Sequence, residues 1–188
     1  MNKILKEALE DSPIIAAIKD DKGLAACLDS DSQIVFILYG DILTIPSIVE
    51  QVKAAGKLTF VHLDLIQGLQ SKEIAVDFIR QYTSADGIIS TKASLIARAR
   101  ELSMYTVMRF FVIDSMAYDS IERQLKTSRP DIIEILPGPM PKVVSRICSL
   151  SRCPVIAGGL VSDKEDVMAL LSAGAAAISS TNSEVWFL

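Results

Sequence analysis

Pro154-Val155-Ile156-Ala157-Gly158-Gly159-Leu160 and, one helix later, Ala176-Ala177-Ile178-Ser179-Ser180-Thr181-Asn182 are the stretches that decide how this chain folds. Each is a short apolar run that ends in small residues. Six similar runs precede them: Pro13–Lys19, Gln33–Gly40, Leu58–Ile66, Asp86–Lys92, Tyr105–Asp114 and Asp131–Pro137. All are rich in Ile, Val and Phe, the composition of parallel strands buried on both faces. A barrel of eight strand–helix units commonly builds a phosphate-binding site from its last two strand-to-helix loops. Consecutive glycines at 158 and 159 let backbone amides approach an anion closely. The expected architecture is therefore a compact (β/α)8 barrel, with a doubly wound open sheet as the competing arrangement.

The segments between the runs read as helices. Ser47 to Gly56 is amphipathic and closes on a helix-stopping glycine, and Asp163 to Gly174 repeats the scheme with acids in its first turn. Ser71-Lys72-Glu73 and Pro141-Lys142-Val143 open two more, and the helix around Asp21–Ser30 must be short. The expectation is one domain over residues 1–188, with residues 1–12 a short N-terminal helix.

Half of the 188 residues are apolar, so disorder is excluded, yet no apolar run nears the roughly 20 residues of a membrane span. The charged and apolar alternation of Met1-Asn2-Lys3-Ile4-Leu5-Lys6-Glu7 is not that of a signal peptide. Cys27, Cys148 and Cys153 have no C-x-x-C spacing, which suits reduced thiols in a cytoplasmic protein. A single histidine argues against a metal centre. With a net charge of −4 there is no global basic field for nucleic acid, and no DNA-binding motif stands out.

Polar groups at the ends of buried strands are the candidates for chemistry, because an unpartnered buried charge is costly. A barrel gathers its strand C-termini on one rim, so Asp64, Lys92, Arg109 and Glu134, with Lys19, His62 and Asp114, can converge there. Alternation along Val61-His62-Leu63-Asp64 sets His62 and Asp64 on one face. Asp64 can accept from a polyol hydroxyl, act as a general base, or simply cap a loop. Arg109 pairs with Asp64 or Glu134, or touches ligand. Lys92 pairs with Glu134 or with a phosphate. Gly158, Gly159, Ser180 and Thr181 form the anion end. No G-x-G-x-x-G, P-loop or G-x-S-x-G pattern occurs.

Val61 to Leu69, Gly87 to Lys92, Glu134-Ile135-Leu136-Pro137-Gly138, Ile156 to Leu160 and Ser180-Thr181-Asn182 resemble, in order, the glycerol-3-phosphate-responsive antiterminators of glycerol uptake operons. The likeness runs from the first strand to Trp186. It implies a non-catalytic regulator without a cofactor, whose effector is glycerol 3-phosphate and whose partner is the leader messenger RNA. On that likeness the phosphate belongs at Gly158, Gly159, Ser180 and Thr181, and the hydroxyls at Asp64 and Glu134, bridged by Lys92. Basic residues group loosely at Arg98/Arg100, Lys126/Arg129 and Lys142/Arg146/Arg152, with no arginine-rich tract. Two other readings stay open. One is an enzyme acting on a small phosphate ester, with Asp64 or Glu134 as acid/base and Lys92 or Arg109 as electrophilic partner. The other is a sensor with a protein partner; association into a homo-oligomer is open too.

Overall fold

A computed structural model describes residues 3–188 as eight parallel strands in sequential order, with β1 also paired to β8. The closure excludes the open sheet. The strands are β1 (Ile14–Ile18), β2 (Ile34–Ile37), β3 (Leu58–His62), β4 (Gly87–Ser90), β5 (Tyr105–Phe111), β6 (Ile132–Leu136), β7 (Val155–Gly158) and β8 (Ala177–Ser180). The helices are α1 (Lys3–Asp11), α2 (Asp21–Asp29), α3 (Ile45–Ala54), α4 (Glu73–Tyr82), α5 (Ala93–Glu101), α6 (Ser115–Ser128), α7 (Pro141–Leu150) and α8 (Lys164–Ser172). Of the N-terminal helix expected over 1–12, residues 1 and 2 lie outside the described residues. Among the described residues, no helix is long and apolar enough to cross a membrane.

Alternation along each strand divides the apolar residues between two layers. Ile15, Ala17, Ile34, Phe36, Phe60, Ile89, Val107, Ile132, Ile156 and Ala177 pack inside the barrel. Their neighbours Ala16, Ile18, Val35, Ile37, Val61, Ile88, Met108, Ile133 and Ile135 face the helices. The inner layer also takes in Leu5, Ala8 and Leu9 of α1, so this helix plugs the N-terminal mouth with its apolar stripe. Burying Leu5 and Leu9 contributes about 2 kcal/mol each. Among the described residues the C-terminal mouth has no such plug, and there the inner layer turns polar.

Several boundaries differ from the sequence expectation. The third strand stops at His62 instead of Ile66, and Leu63–Leu65 turn into a 3-10 helix. Asp64 is therefore on that turn and not on the strand, yet its carboxylate still stands 3.9 Å from His62 Nδ1, as expected of the pair. The other strands are trimmed by one to three residues at their ends, where loops leave the barrel. Cys27 is buried, and burial pushes its thiol up to about 11, which leaves it inert.

Candidate functional site

Continuing the inward alternation one step beyond the apolar layer predicts the floor of the C-terminal mouth. Phe60 leads to His62, Val107 to Arg109, Ile132 to Glu134, Ile156 to Gly158 and Ala177 to Ser179. These polar residues are nearly sealed: Glu134 is 1% exposed, His62 2%, Ser179 3% and Arg109 7%. Glu134 is their centre. Its Oε2 accepts from Arg109 Nε at 2.6 Å and its Oε1 accepts from Ser179 Oγ at 2.5 Å.

The second of these bonds passes over β7. A Cβ on Gly158 would lie 2.1 Å from Ser179 Oγ and 2.8 Å from Glu134 Oε1, so the bond exists because residue 158 has no side chain. This is a reason for glycine at 158 that needs no anion. Ser179 is also the residue that sequence reasoning missed, having favoured Ser180 and Thr181. The signal was present: Ala177 faces inward, so Ser179 must, and Ser180 must not.

Ser180 instead organises the loops. Its Oγ donates to Val161 O at 2.9 Å, and Trp186 Nε1 donates to Ser180 O at 2.8 Å. Asn182 Nδ2 reaches Ser162 O at 3.0 Å, and Gly138 N reaches Gly159 O at 3.0 Å. The loops after β6, β7 and β8 are thus tied together. Gly159 and Leu160 both hold positive φ, 71° and 61°, a conformation that is costly for leucine. Leu160 is nevertheless 79% exposed. Within this tied wall, the amides of Gly159, Leu160 and Thr181 donate to no acceptor among the described residues.

Arg109 has the same property. Only its Nε is engaged, and among the described residues its two terminal nitrogens donate to no protein acceptor. A guanidinium held by Glu134 on one edge and unengaged on the other has the donor geometry that an anion could accept from.

The remaining candidates are dispersed. Asp64 stands at the rim, but its carboxylate accepts from Ser90 Oγ, Thr91 N and Thr91 Oγ1 at 2.9–3.2 Å. It ties the turn after β3 to the end of β4. Lys92 and Lys19 are exposed, and neither forms an ion pair among the described residues. Lys92 thus does not pair with Glu134. Asp114 caps α6 by accepting from Ala117 N at 2.7 Å. Thr181 is exposed.

His62 has a buried Nδ1 without a hydrogen-bond partner, 3.9 Å from Asp64 Oδ2. Burial, reinforced by the Arg109 charge and opposed by Asp64, pushes its pKa down from 6.5 to about 4. The folded imidazole is neutral, while the unfolded one gains a proton below about pH 6.5. Its contribution to stability is therefore complete above that pH and is lost as pH falls toward 4. Between about pH 7 and pH 4.5, wild type should lose about 2 kcal/mol more than His62→Gln in denaturant titrations. Equal losses would assign the acid sensitivity to other groups.

Comparison with known proteins identifies the family. The glycerol-3-phosphate responsive antiterminator family matches residues 14–186. An uncharacterized Escherichia coli (strain K12) protein, YgcP, is 46% identical over 184 residues, covering 98% of this chain and 96% of its own. The crystal structure of a glycerol uptake operon antiterminator regulatory protein from Listeria monocytogenes superposes with a TM-score of 0.88. It is 34% identical and covers 92% of this chain and 94% of its own. A glycerol uptake operon antiterminator-related protein from Thermotoga maritima gives a TM-score of 0.82, also at 34% identity, covering 93% and 98%. A match over nearly the whole barrel, from the first residue of β1 to the tryptophan that binds Ser180, makes this chain a member of the glycerol-3-phosphate responsive antiterminator family.

Proposed function

We propose that the C-terminal mouth binds glycerol 3-phosphate, and that the occupied barrel binds the leader messenger RNA of a glycerol operon so that transcription passes a terminator. The observation that carries the ligand reading is the unengaged edge of Arg109, fixed by Glu134 on the floor of the same mouth whose wall carries the unbonded amides of Gly159, Leu160 and Thr181. A phosphate offers acceptors to both sets of donors. The glycerol hydroxyls then meet the polar floor around Glu134 and Ser179 and the Asp64 edge of the rim. Lys92, exposed at the start of α5, is a further cation following the end of β4, with no ion pair among the described residues.

The reading is a regulator and not an enzyme. Asp64 or Glu134 could serve as the acid/base only with a carboxyl face open to substrate. Glu134 instead gives both oxygens to Arg109 and Ser179, and Asp64 accepts three donors from the β4 end. His62 lies in the same floor layer, where burial and the Arg109 charge keep its imidazole neutral. Linkage supplies the switch: the ligand raises RNA affinity only as far as it binds the RNA-competent state more tightly.

Calorimetry tests the site. Glycerol 3-phosphate should bind at least about 100-fold tighter than glycerol, since two or more charge-assisted hydrogen bonds separate them. Arg109→Met should cost roughly 10- to 100-fold in affinity for glycerol 3-phosphate, with little effect on glycerol. Equal affinities for the two compounds would end the phosphate assignment. Mobility shifts with the leader transcript, with and without glycerol 3-phosphate, test the regulator. Turnover of a phosphate ester without RNA binding would make the protein an enzyme.

A further inference from the structure

The charge of this molecule is not evenly spread. The chain carries −4, yet residues 115–154, from α6 through β6 to the end of the loop after α7, hold six Lys/Arg against four Asp/Glu. One of those acids, Glu134, is buried against Arg109. The rest of the barrel is thus markedly acidic, and one side is basic. On that side α6 and α7 leave a seam between them. It opens into a groove of about 810 Å³ at the N-terminal end of the barrel, opposite the mouth, and a smaller one of about 400 Å³ toward the mouth.

The larger groove joins two basic groups that are separate in sequence, Lys126/Arg129 and Arg152. Its two acids are already engaged. Glu122 holds Lys126 at 2.8 Å, and Asp131 accepts from both N and Oγ1 of Thr106. Arg129 and Arg152 have no acidic partner among the described residues. Leu125 and Leu150 add apolar wall between the charges. Arg129 also caps α6 in a left-handed conformation, φ 44°, at a position where glycine is the unstrained choice. Local backbone physics does not ask for arginine there.

We infer that the α6–α7 groove is the surface that takes the RNA, with Arg129 and Arg152 on backbone phosphates and the apolar wall against bases or ribose. The inference rests on the antiterminator reading, and it adds the surface and its connection to the effector site. Asp131 lines the groove at the start of β6, and Glu134 lies three residues along on the floor of the mouth. Asp131 bonds the start of β5 through Thr106, and Arg109 lies three residues along that strand. The two strands that hold the buried ion pair therefore end at the groove. A change in their spacing when ligand engages Arg109 is delivered there directly.

The test uses the full-length protein and a labelled transcript of the operon leader, titrated in saturating glycerol 3-phosphate at several salt concentrations. Arg129→Gly relieves the left-handed strain, so it removes a cation without unfolding the cap. Combined with Arg152→Ala it should weaken RNA binding roughly 100-fold and flatten the salt dependence by about 1.4 in log–log slope, the release from two single-strand phosphates. Calorimetric affinity for glycerol 3-phosphate should be unchanged. Lys72→Ala/Arg80→Ala, which removes the same charge from the α4 side, should bind RNA as wild type does. Wild-type RNA affinity in the Arg129/Arg152 variant would overturn the groove while leaving the regulator reading intact. Equal losses in both variants would reduce the groove to a general charge effect. Failure of wild type itself to bind the transcript would remove the antiterminator reading, and the groove with it.

Discussion

Glu134→Gln should destabilise the barrel by about 3 kcal/mol, a shift plain in a urea titration at neutral pH. Glutamine keeps the shape of the side chain and leaves Arg109 as a buried cation with no counter-charge. The wild-type pair is not itself a strong source of stability, because both ions were taken out of water to make it. The loss comes from stranding one of them. Arg109→Met/Glu134→Leu should therefore recover most of the stability that Glu134→Gln loses. It should nonetheless bind glycerol 3-phosphate at least about 10-fold more weakly than wild type, because the guanidinium edge is gone. Stability regained with ligand binding lost would separate the functional role of the pair from a packing role. A double variant that folds and binds like wild type would take Arg109 out of the site.

The same residues show what the sequence could and could not disclose. Arg109 and Glu134 were legible because charges inside apolar runs stand out, and the cost of burying either alone asked for a partner, but the choice between Asp64 and Glu134 for Arg109 was made only by the structure. The barrel was legible because buried parallel strands are continuous apolar segments and because two small-residue loops closed the series. Asp64 stands beside His62 as expected, but on a different element, for a physical reason. A 3-10 turn after His62 has no pattern that distinguishes it from two more strand residues, so the alternation was extended too far. The choice of Ser180 over Ser179 was a matter of phase, settled only when Ala177 is known to face inward. The groove was out of reach, since Lys126/Arg129 and Arg152 meet only through the packing of two units side by side.

Gly158→Ala should be the most damaging single-methyl change at the mouth. The new Cβ would be placed 2.1 Å from Ser179 Oγ, and the bond from Ser179 to Glu134 occupies the space it needs. Ser179 must rotate away, Glu134 then loses a buried donor, and Arg109 loses the rigidity of its anchor. Overpacking of this kind costs about 1–3 kcal/mol, and a buried acceptor left without its donor adds about 1–3 kcal/mol. Affinity for glycerol 3-phosphate should fall at least about 10-fold as the floor shifts. A glycine that served only to let an anion approach would behave differently, with affinity lost and stability nearly kept. The distinction is sharpened by Ser179→Ala. Alone it should cost about 1–2 kcal/mol, the donor to a charged acceptor. Added to Gly158→Ala it removes the atom with which the new methyl collides, leaving the 2.8 Å approach to Glu134 Oε1 as the remaining strain. The double variant should then be more stable than the two single losses sum to, by about 1 kcal/mol or more in a double-mutant cycle. Strict additivity would mean that Gly158 and Ser179 do not share the bridge over β7, and that glycine is at 158 for the ligand alone.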